Sequence, residues 1–282
     1  MNDFKTQYNN RINEIDEYMK DRLRAFSDCE SEIFDAVEYA VFNGGKRIRS
    51  ILCTETARML TGDSKRALPF AAAIEFIHAF SLVHDDLPCM DNDDMRRGKP
   101  SCHKKYGEAL ALLAGDALLN TAYEVMFSEC ENGKASAVRA MQNIAHSAGI
   151  NGMINGQVRD IKISEKQSAD EDELLALIEQ KTMAMIMTGV MSAAYVSEAD
   201  EKTVADLEKF AYDIGIAFQI RDDFEDEEQD SGAEHICPNF INILGKDAAR
   251  RRMEQYVSDA YEIIGKYKNN EFIVGLLSYL FG

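Results

Sequence analysis

The chain has no tryptophan and only four prolines in 282 residues, and none of the prolines lies between Ser101 and Cys237. Proline breaks helix interiors. So long a stretch without it, rich in Ala, Leu, Met, Glu and Lys, favours helix over strand. Clustered basic sequence is also scarce. The formal charge is −18, which argues against a nucleic-acid partner, because backbone phosphates need a concentrated cationic surface. A small phosphorylated ligand remains open, held by a few local cations or by a metal on carboxylates. The cysteines Cys29, Cys53, Cys89, Cys102, Cys130 and Cys237 form no Cys-x-x-Cys pair, so reduced thiols in a cytoplasmic protein are expected. The opening MNDFKTQYNNRINEID is too polar for a signal peptide. No run of about 18 apolar residues occurs, so no membrane span is expected. No repeat, low-complexity tract or linker divides the chain, and residues 1–282 are expected to form one domain.

What is present is helical patterning over a 46% hydrophobic chain. Helices are expected at about 4–24, 30–42, 46–60 and from Pro69 into the aspartates at 85–86. Others are expected at 107–131, 135–151, 152–163, 171–197, 201–228, 246–267 and 270–281. Asn43-Gly44-Gly45 stops the second, since glycine supplies a left-handed cap. The segment PFAAAIEFIHAFSLVHDD is apolar on all sides, as a helix at the centre of a bundle would be. No sustained period-two alternation appears, so no sheet is expected. The fold class is all-α: a single-domain bundle of about ten helices.

Two aspartate clusters each follow an apolar helical run: HDDLPCMDNDDMRRGKP at 84–100 and FQIRDDFED at 218–226. Asp222 and Asp226 are four apart and share a helix face, with Gln219 nearly in line. Asp85 and Asp86 end the central helix, and Pro88 frees the chain so that Asp91 can turn back towards them. Asp93 and Asp94 are open to a plain solvent-facing role. A solvated acidic helix end is the ordinary reading of one such cluster; two facing clusters could instead hold magnesium, which takes few carboxylates and fills its shell from water and substrate phosphates.

The basic residues fall near these clusters. Gly44-Gly45 before Lys46-Arg47-Ile48-Arg49 places Lys46 and Arg49 on one face near a positive helix end, a plausible anion site. His78 lies seven residues before Asp85 on the apolar helix. Gln157 and Asp160 share a face. Lys181-Thr182 interrupts an apolar helix, where a buried lysine calls for an anion unless it reaches solvent.

GGKRIR, IHAFSLVHDDLPCMDNDDMRRGKP, GQVRD, KT and FQIRDDFED occur in the order and spacing of the trans-isoprenyl diphosphate synthases, which the chain resembles over residues 10–228, bacterial farnesyl diphosphate synthases in particular. The resemblance implies the isoprenoid synthase fold around a central cavity and a homodimer. It implies three Mg2+ ions on Asp85, Asp86, Asp91, Asp222, Asp223 and Asp226. Arg96 and Lys181 would bind the allylic diphosphate (dimethylallyl or geranyl), and Thr182 and Gln219 would face the developing cation. Lys46, Arg49, His78 and Arg97 would bind isopentenyl diphosphate, with Gln157 and Asp160 in support. Phe80 and Ser81 are the chain-length positions; an aromatic at 80 with the insertion Pro88-Cys89 implies a C15 product, geranyl and geranylgeranyl diphosphate being the alternatives.

The chain departs from the family in two places. Ser50 stands where proline is usual, with little effect expected. No Lys or Arg occurs from Asp223 through Leu244, where the family carries a lysine loop. That shortage supports a second reading as the non-catalytic partner of an active synthase, which both intact aspartate motifs oppose. A class I terpene cyclase would need a different second metal motif from DDFED.

Overall fold

The computed structural model describes residues 2–130, 134–166, 168–229 and 238–282. Its helices are α1 (Asn2–Arg24), α2 (Ser31–Phe42), α3 (Ile48–Thr61), α4 (Leu68–Asp85), α5 (Cys102–Tyr106), α6 (Glu108–Cys130) and α7 (Ala135–Ala148). They continue with α8 (Met153–Lys166), α9 (Glu171–Ile178), α10 (Ala184–Val196), α11 (Glu201–Gln229), α12 (Phe240–Leu244), α13 (Lys246–Ile264) and α14 (Glu271–Phe281).

Local chemistry sets several ends. Pro69 lies in the first turn of α4, where a missing N–H removes no helical bond. Asp170 and Glu173 form a reciprocal capping box on α9. Gly62 ends α3 at φ 81° and donates its N–H to the Arg58 carbonyl. The all-round apolar α4 is the central helix, as expected. It packs against α1, α2, α3, α6, α7 and α10, with Phe70, Ile74, Phe76 and Ile77 fully buried. A smaller apolar cluster joins α9, α11, α12 and α13 through Leu174, Ile178, Ile220 and Phe240.

The all-α bundle is as expected, with short α5 and α12 added to it. Three expectations are corrected. A minimal antiparallel ribbon pairs Met95–Arg96 (β1) with Lys99–Pro100 (β2); two residues per strand are too few to show alternation. The helix expected over 171–197 is interrupted by a π-turn, Glu179–Met183. The third helix begins at Ile48 rather than Lys46, because Gly44, Gly45 and Arg47 all adopt positive φ. Two stretches, Glu108–Cys130 and Glu171–Val196, are long and apolar enough to cross a membrane by length and composition. Here they lie within the bundle, α6 on α4 and α10 on α3 and α7. The thiols of Cys29, Cys53, Cys89, Cys102 and Cys130 are free; Cys237 lies outside the described residues.

Truncating a fully buried ring leaves a cavity as well as losing transfer energy. Phe76→Ala should therefore lower the unfolding free energy by about 3–5 kcal/mol, read as a lower urea midpoint at unchanged slope.

Candidate active site

The first acidic cluster forms where α4 ends. After Asp86 the chain folds back, and the Asp91 N–H donates to the Asp85 carbonyl at 2.9 Å, so Asp91 returns to Asp85 as the sequence suggests. Burial is the main force pushing the Asp85 carboxyl up to about 6, with Asp91 adding repulsion and Lys181 opposing it. Asp91 is raised in the same way, by burial first, with Asp160 and Asp93 adding to it. Asp86 is buried and held by Arg96, whose Nε lies 2.9 Å from its Oδ1. The same guanidinium reaches Asp93 at 3.0 Å, and Asp94 pairs with Lys104 at 2.7 Å. The two aspartates left open to solvent thus brace the ribbon that carries Arg96.

On α11, Asp222 and Asp223 separate. Asp222 is raised by burial despite accepting from the Arg221 guanidinium at 2.6 Å. Asp223 lies about 100° further round the helix and is fully buried. It accepts from Gln219 Nε2 at 2.9 Å and from the Phe240 N–H at 2.8 Å; burial pushes it to about 6 against both bonds. Gln219 is therefore engaged with Asp223, and neither is among the residues lining the cavity. Asp226 is exposed on the same helix.

Among the described residues no three acidic side chains already converge as a closed metal cage. The donor set nevertheless fits magnesium: all-oxygen ligands, of which Asp85, Asp91, Asp222 and Asp223 are raised mainly by burial. Magnesium retaining water or phosphate oxygens needs only one or two carboxylates at a time.

The cationic side is built around His78. Its imidazole is kept neutral, its pKa lowered well below the ordinary value by burial and then by Arg49, Arg97, Arg47 and Arg96. Lys46 precedes α3 and does not share a helical face with Arg49, contrary to expectation. Arg97, itself at φ 54°, packs on Gly45, where a Cβ would come within 2.8 Å of its guanidinium. It donates to the Gly44 carbonyl. Arg49 has a buried Nε with no partner, and so has Gln157 at Nε2. Both residues line one cavity of about 380 Å³, and orphaned buried donors are rare unless a ligand or water completes them.

That cavity is lined by Asp85, Lys181 and Thr182, by Ser81, Phe80 and His84, and by Met153, Ile154, Val158 and Met185. The Phe80 and His84 rings meet edge-on, centroids 4.8 Å apart. His84 Nε2 lies 3.0 Å from the Leu112 carbonyl and rests on Gly115, where a Cβ would approach within 2.1 Å. Sequence reasoning missed His84 as a wall residue, although it stands in the quoted motif.

It also missed the π-turn that presents Lys181 and Thr182. The turn is packed closely on two glycines. A Cβ on Gly156 of α8 would lie 2.6 Å from the Lys181 nitrogen, and one on Gly215 of α11 would lie 2.8 Å from Met183. π-turns gather at functional sites, and this one lets the Lys181 ammonium reach Asp160. Asn155 and Arg159 both donate to Gln180 Oε1 at 2.8 Å, tying α8 to the turn.

The polyprenyl synthetase family model matches residues 30–235. The chain belongs to the polyprenyl synthetase family. A Bacillus subtilis farnesyl diphosphate synthase is 33% identical over 249 residues, covering 84% of each chain. A Cyanophora paradoxa geranylgeranyl diphosphate synthase is 43% identical over 195 residues, covering 69% of this chain but 65% of that relative's length. Among solved structures, a Zymomonas mobilis FPP/GFPP synthase superposes with TM-score 0.89 at 31% identity, covering 99% and 98% of the two chains. As expected, this polyprenyl synthetase is a short-chain prenyltransferase homologue of the isoprenoid synthase type. Its relatives are named for products of different length.

The raised carboxylates give a signed pH dependence. Asp85 has an ordinary value of 3.8 and a folded value of about 6, so its ionisation opposes folding. The penalty is absent below about pH 4 and grows as pH rises through about 6. In chelator, Asp85→Asn should unfold at a higher temperature than wild type at pH 7.5, the gain shrinking towards zero near pH 4. Thermal scans across that range check it; a gain that grows on acidification would contradict the assigned burial.

Proposed function

We propose that this polyprenyl synthetase joins isopentenyl diphosphate to dimethylallyl and then geranyl diphosphate, releasing farnesyl diphosphate. One observation carries the reading: an apolar cavity is lined by Asp85, by Arg49 and Gln157 with their orphaned donors, and by the Phe80–His84 ring pair, Phe80 lying about one turn before Asp85 on α4. Bound Mg2+, three ions by family resemblance, would supply Lewis-acid stabilisation of the departing pyrophosphate. Asp85, Asp91 and Asp222, whose carboxyls burial raises, would hold it, with Asp226 and, after release by Arg96, Asp86 beside them. Asp223, turned towards Phe240, would support them from behind.

The chain's own cations do the rest of the electrostatic work. Lys181 leaves Asp160, and Arg96 leaves Asp86, to meet the allylic diphosphate. Arg49, Lys46, Arg97 and the neutral His78 hold isopentenyl diphosphate. Carbon–oxygen cleavage releases pyrophosphate and leaves an allylic cation beside the Thr182 hydroxyl. The isopentenyl double bond attacks that carbon, and the proton lost from the resulting cation passes to pyrophosphate. Met153, Met185 and Val158 exclude the water that would quench the cation. No serine, cysteine or histidine nucleophile is required.

The growing chain then runs down α4 until it meets Phe80, with Ser81 beside it. Phe80→Ala should shift the product from C15 towards C20 and beyond, read by chromatography of radiolabelled products. Unchanged C15 from a folded variant would remove Phe80 from this role. A second reading, as a non-catalytic partner, is favoured by the cation-free sequence from Asp223 through Leu244, of which residues 230–237 lie outside the described ones. The purified chain assayed alone with geranyl and isopentenyl diphosphates separates the readings. Wild type should turn over, and Asp222→Ala should lose most of that activity.

We also propose a homodimer. Leu112, Leu113 and Phe127 of α6, Ile150, and Ile154 and Ile161 of α8 are large apolar side chains left exposed. We place the dimer interface on these side chains, since large exposed apolar surface marks interaction sites; Ile154 and Ile161 also line the cavity, which a second copy would close. Sedimentation should give a dimer for wild type and a monomer for Leu113→Glu.

A further inference from the structure

The loop before α3 holds an arginine that does not face the cavity. Arg47 is buried and sits at φ 51°, between Lys46 and Arg49, which the proposed function gives to isopentenyl diphosphate. Its guanidinium is spent on internal acceptors: Nε to Asp16 Oδ1 at 2.9 Å, one terminal nitrogen to Glu75 Oε2 at 3.2 Å, the other to the Val41 carbonyl at 2.8 Å. Glu75, 3% exposed on α4, uses its other oxygen to accept from the Ser50 hydroxyl at 2.8 Å and lies 3.4 Å from the Ser50 N–H. The Ser50 hydroxyl also lies 3.0 Å from the Arg47 carbonyl. The buried Tyr8 hydroxyl of α1 donates to the Lys46 carbonyl.

Left-handed backbone at a non-glycine residue persists only where its surroundings over-determine it. Here the surroundings are a carboxylate on the central helix and a hydroxyl in the first turn of α3. We propose that Glu75, acting through Arg47 and Ser50, is a positioning residue for the isopentenyl diphosphate pocket: a buried latch that fixes the left-handed turn at Arg47 and so sets where Lys46 and Arg49 point. Glu75 touches neither substrate. Replacing its charge loosens one substrate's pocket and leaves the allylic side, built on the ribbon and the π-turn, in place. This inference rests on the proposed function, because it assumes that the pocket receives isopentenyl diphosphate.

The latch also neutralises charge. Glu75 is the first counter-charge acting on Arg49, ahead of Asp222. It also acts on Arg97. Three guanidiniums thus share Glu75 as a counter-charge, with Asp16 on Arg47 and Asp222 acting on Arg49.

The test combines direct binding with kinetics. Metal-free wild type, Glu75→Gln and Ser50→Ala are titrated calorimetrically with isopentenyl diphosphate, then assayed with magnesium and geranyl diphosphate. Glu75→Gln keeps the side-chain shape and should weaken isopentenyl diphosphate binding and raise its KM by about tenfold, which corresponds to about 1.4 kcal/mol. The geranyl diphosphate KM and kcat should stay within about twofold. Ser50→Ala should move the same constants in the same pattern by about threefold, and it decides the matter should Glu75→Gln fail to fold. Unchanged isopentenyl diphosphate binding in the folded variants of an active enzyme overturns the latch alone. So does equal damage to both substrates, which marks general loosening rather than positioning. A wild-type chain that neither binds isopentenyl diphosphate nor elongates geranyl diphosphate overturns the proposed function, and this inference with it.

Discussion

Negative charge partly withdrawn from water, at the end of α4 and along α11, is the constraint around which the site is arranged. Asp85 and Asp91 share one corner, where Asp85 is half-buried and Asp91 more open, and Asp222 is half-buried on α11. Each is raised mainly by burial, so each would discard its charge more readily than an exposed aspartate. A protein gains nothing in stability from such an arrangement. It persists because the surrounding apolar packing of α4 and α11 is strong enough to carry it, and because a cation can later settle it.

The fold meets that constraint by pairing. Arg96 is kept on Asp86, Lys181 on Asp160, and Arg221 on Asp222. Each pair gives a charged group of the site an internal partner; for Arg96 and Lys181, these are the groups that the proposed function gives to the allylic diphosphate. Charge-assisted hydrogen bonds are worth about 1.5–3 kcal/mol each, so exchanging an internal carboxylate for a phosphate oxygen changes little in net energy while changing geometry greatly. The same economy appears at Arg47, whose bonds stay internal and whose contribution is the shape of a loop. The apolar wall beyond these charges is set by contact: Phe80 against His84, His84 against Gly115, and the π-turn against Gly156 and Gly215.

Much of this was legible in order of residues. The proline-free, Ala- and Leu-rich stretch reads as helix, and the all-round apolar α4 reads as the centre of a bundle, because burial on every side leaves no polar face. The return of Asp91 to Asp85 follows from Pro88. The grouping of Lys46 and Arg49 on one helical face did not survive. Their spacing suits a helix, but Arg47 is locked in a left-handed turn by Asp16 and Glu75, residues 31 and 28 positions away. The π-turn was hidden for a similar reason, since its glycine neighbours come from α8 and α11.

By itself, the sequence determined the helical class, the central helix, the two acidic motifs and the chemistry they offer, because these rest on composition and on spacings of three, four and seven residues. Only the tertiary structure decided which aspartate faces the cavity and which turns to cap α12, which arginine is spent inside the fold, and how Lys181 reaches Asp160. Those outcomes depend on which side chains from distant elements arrive first at a buried donor or acceptor, and no local spacing encodes that.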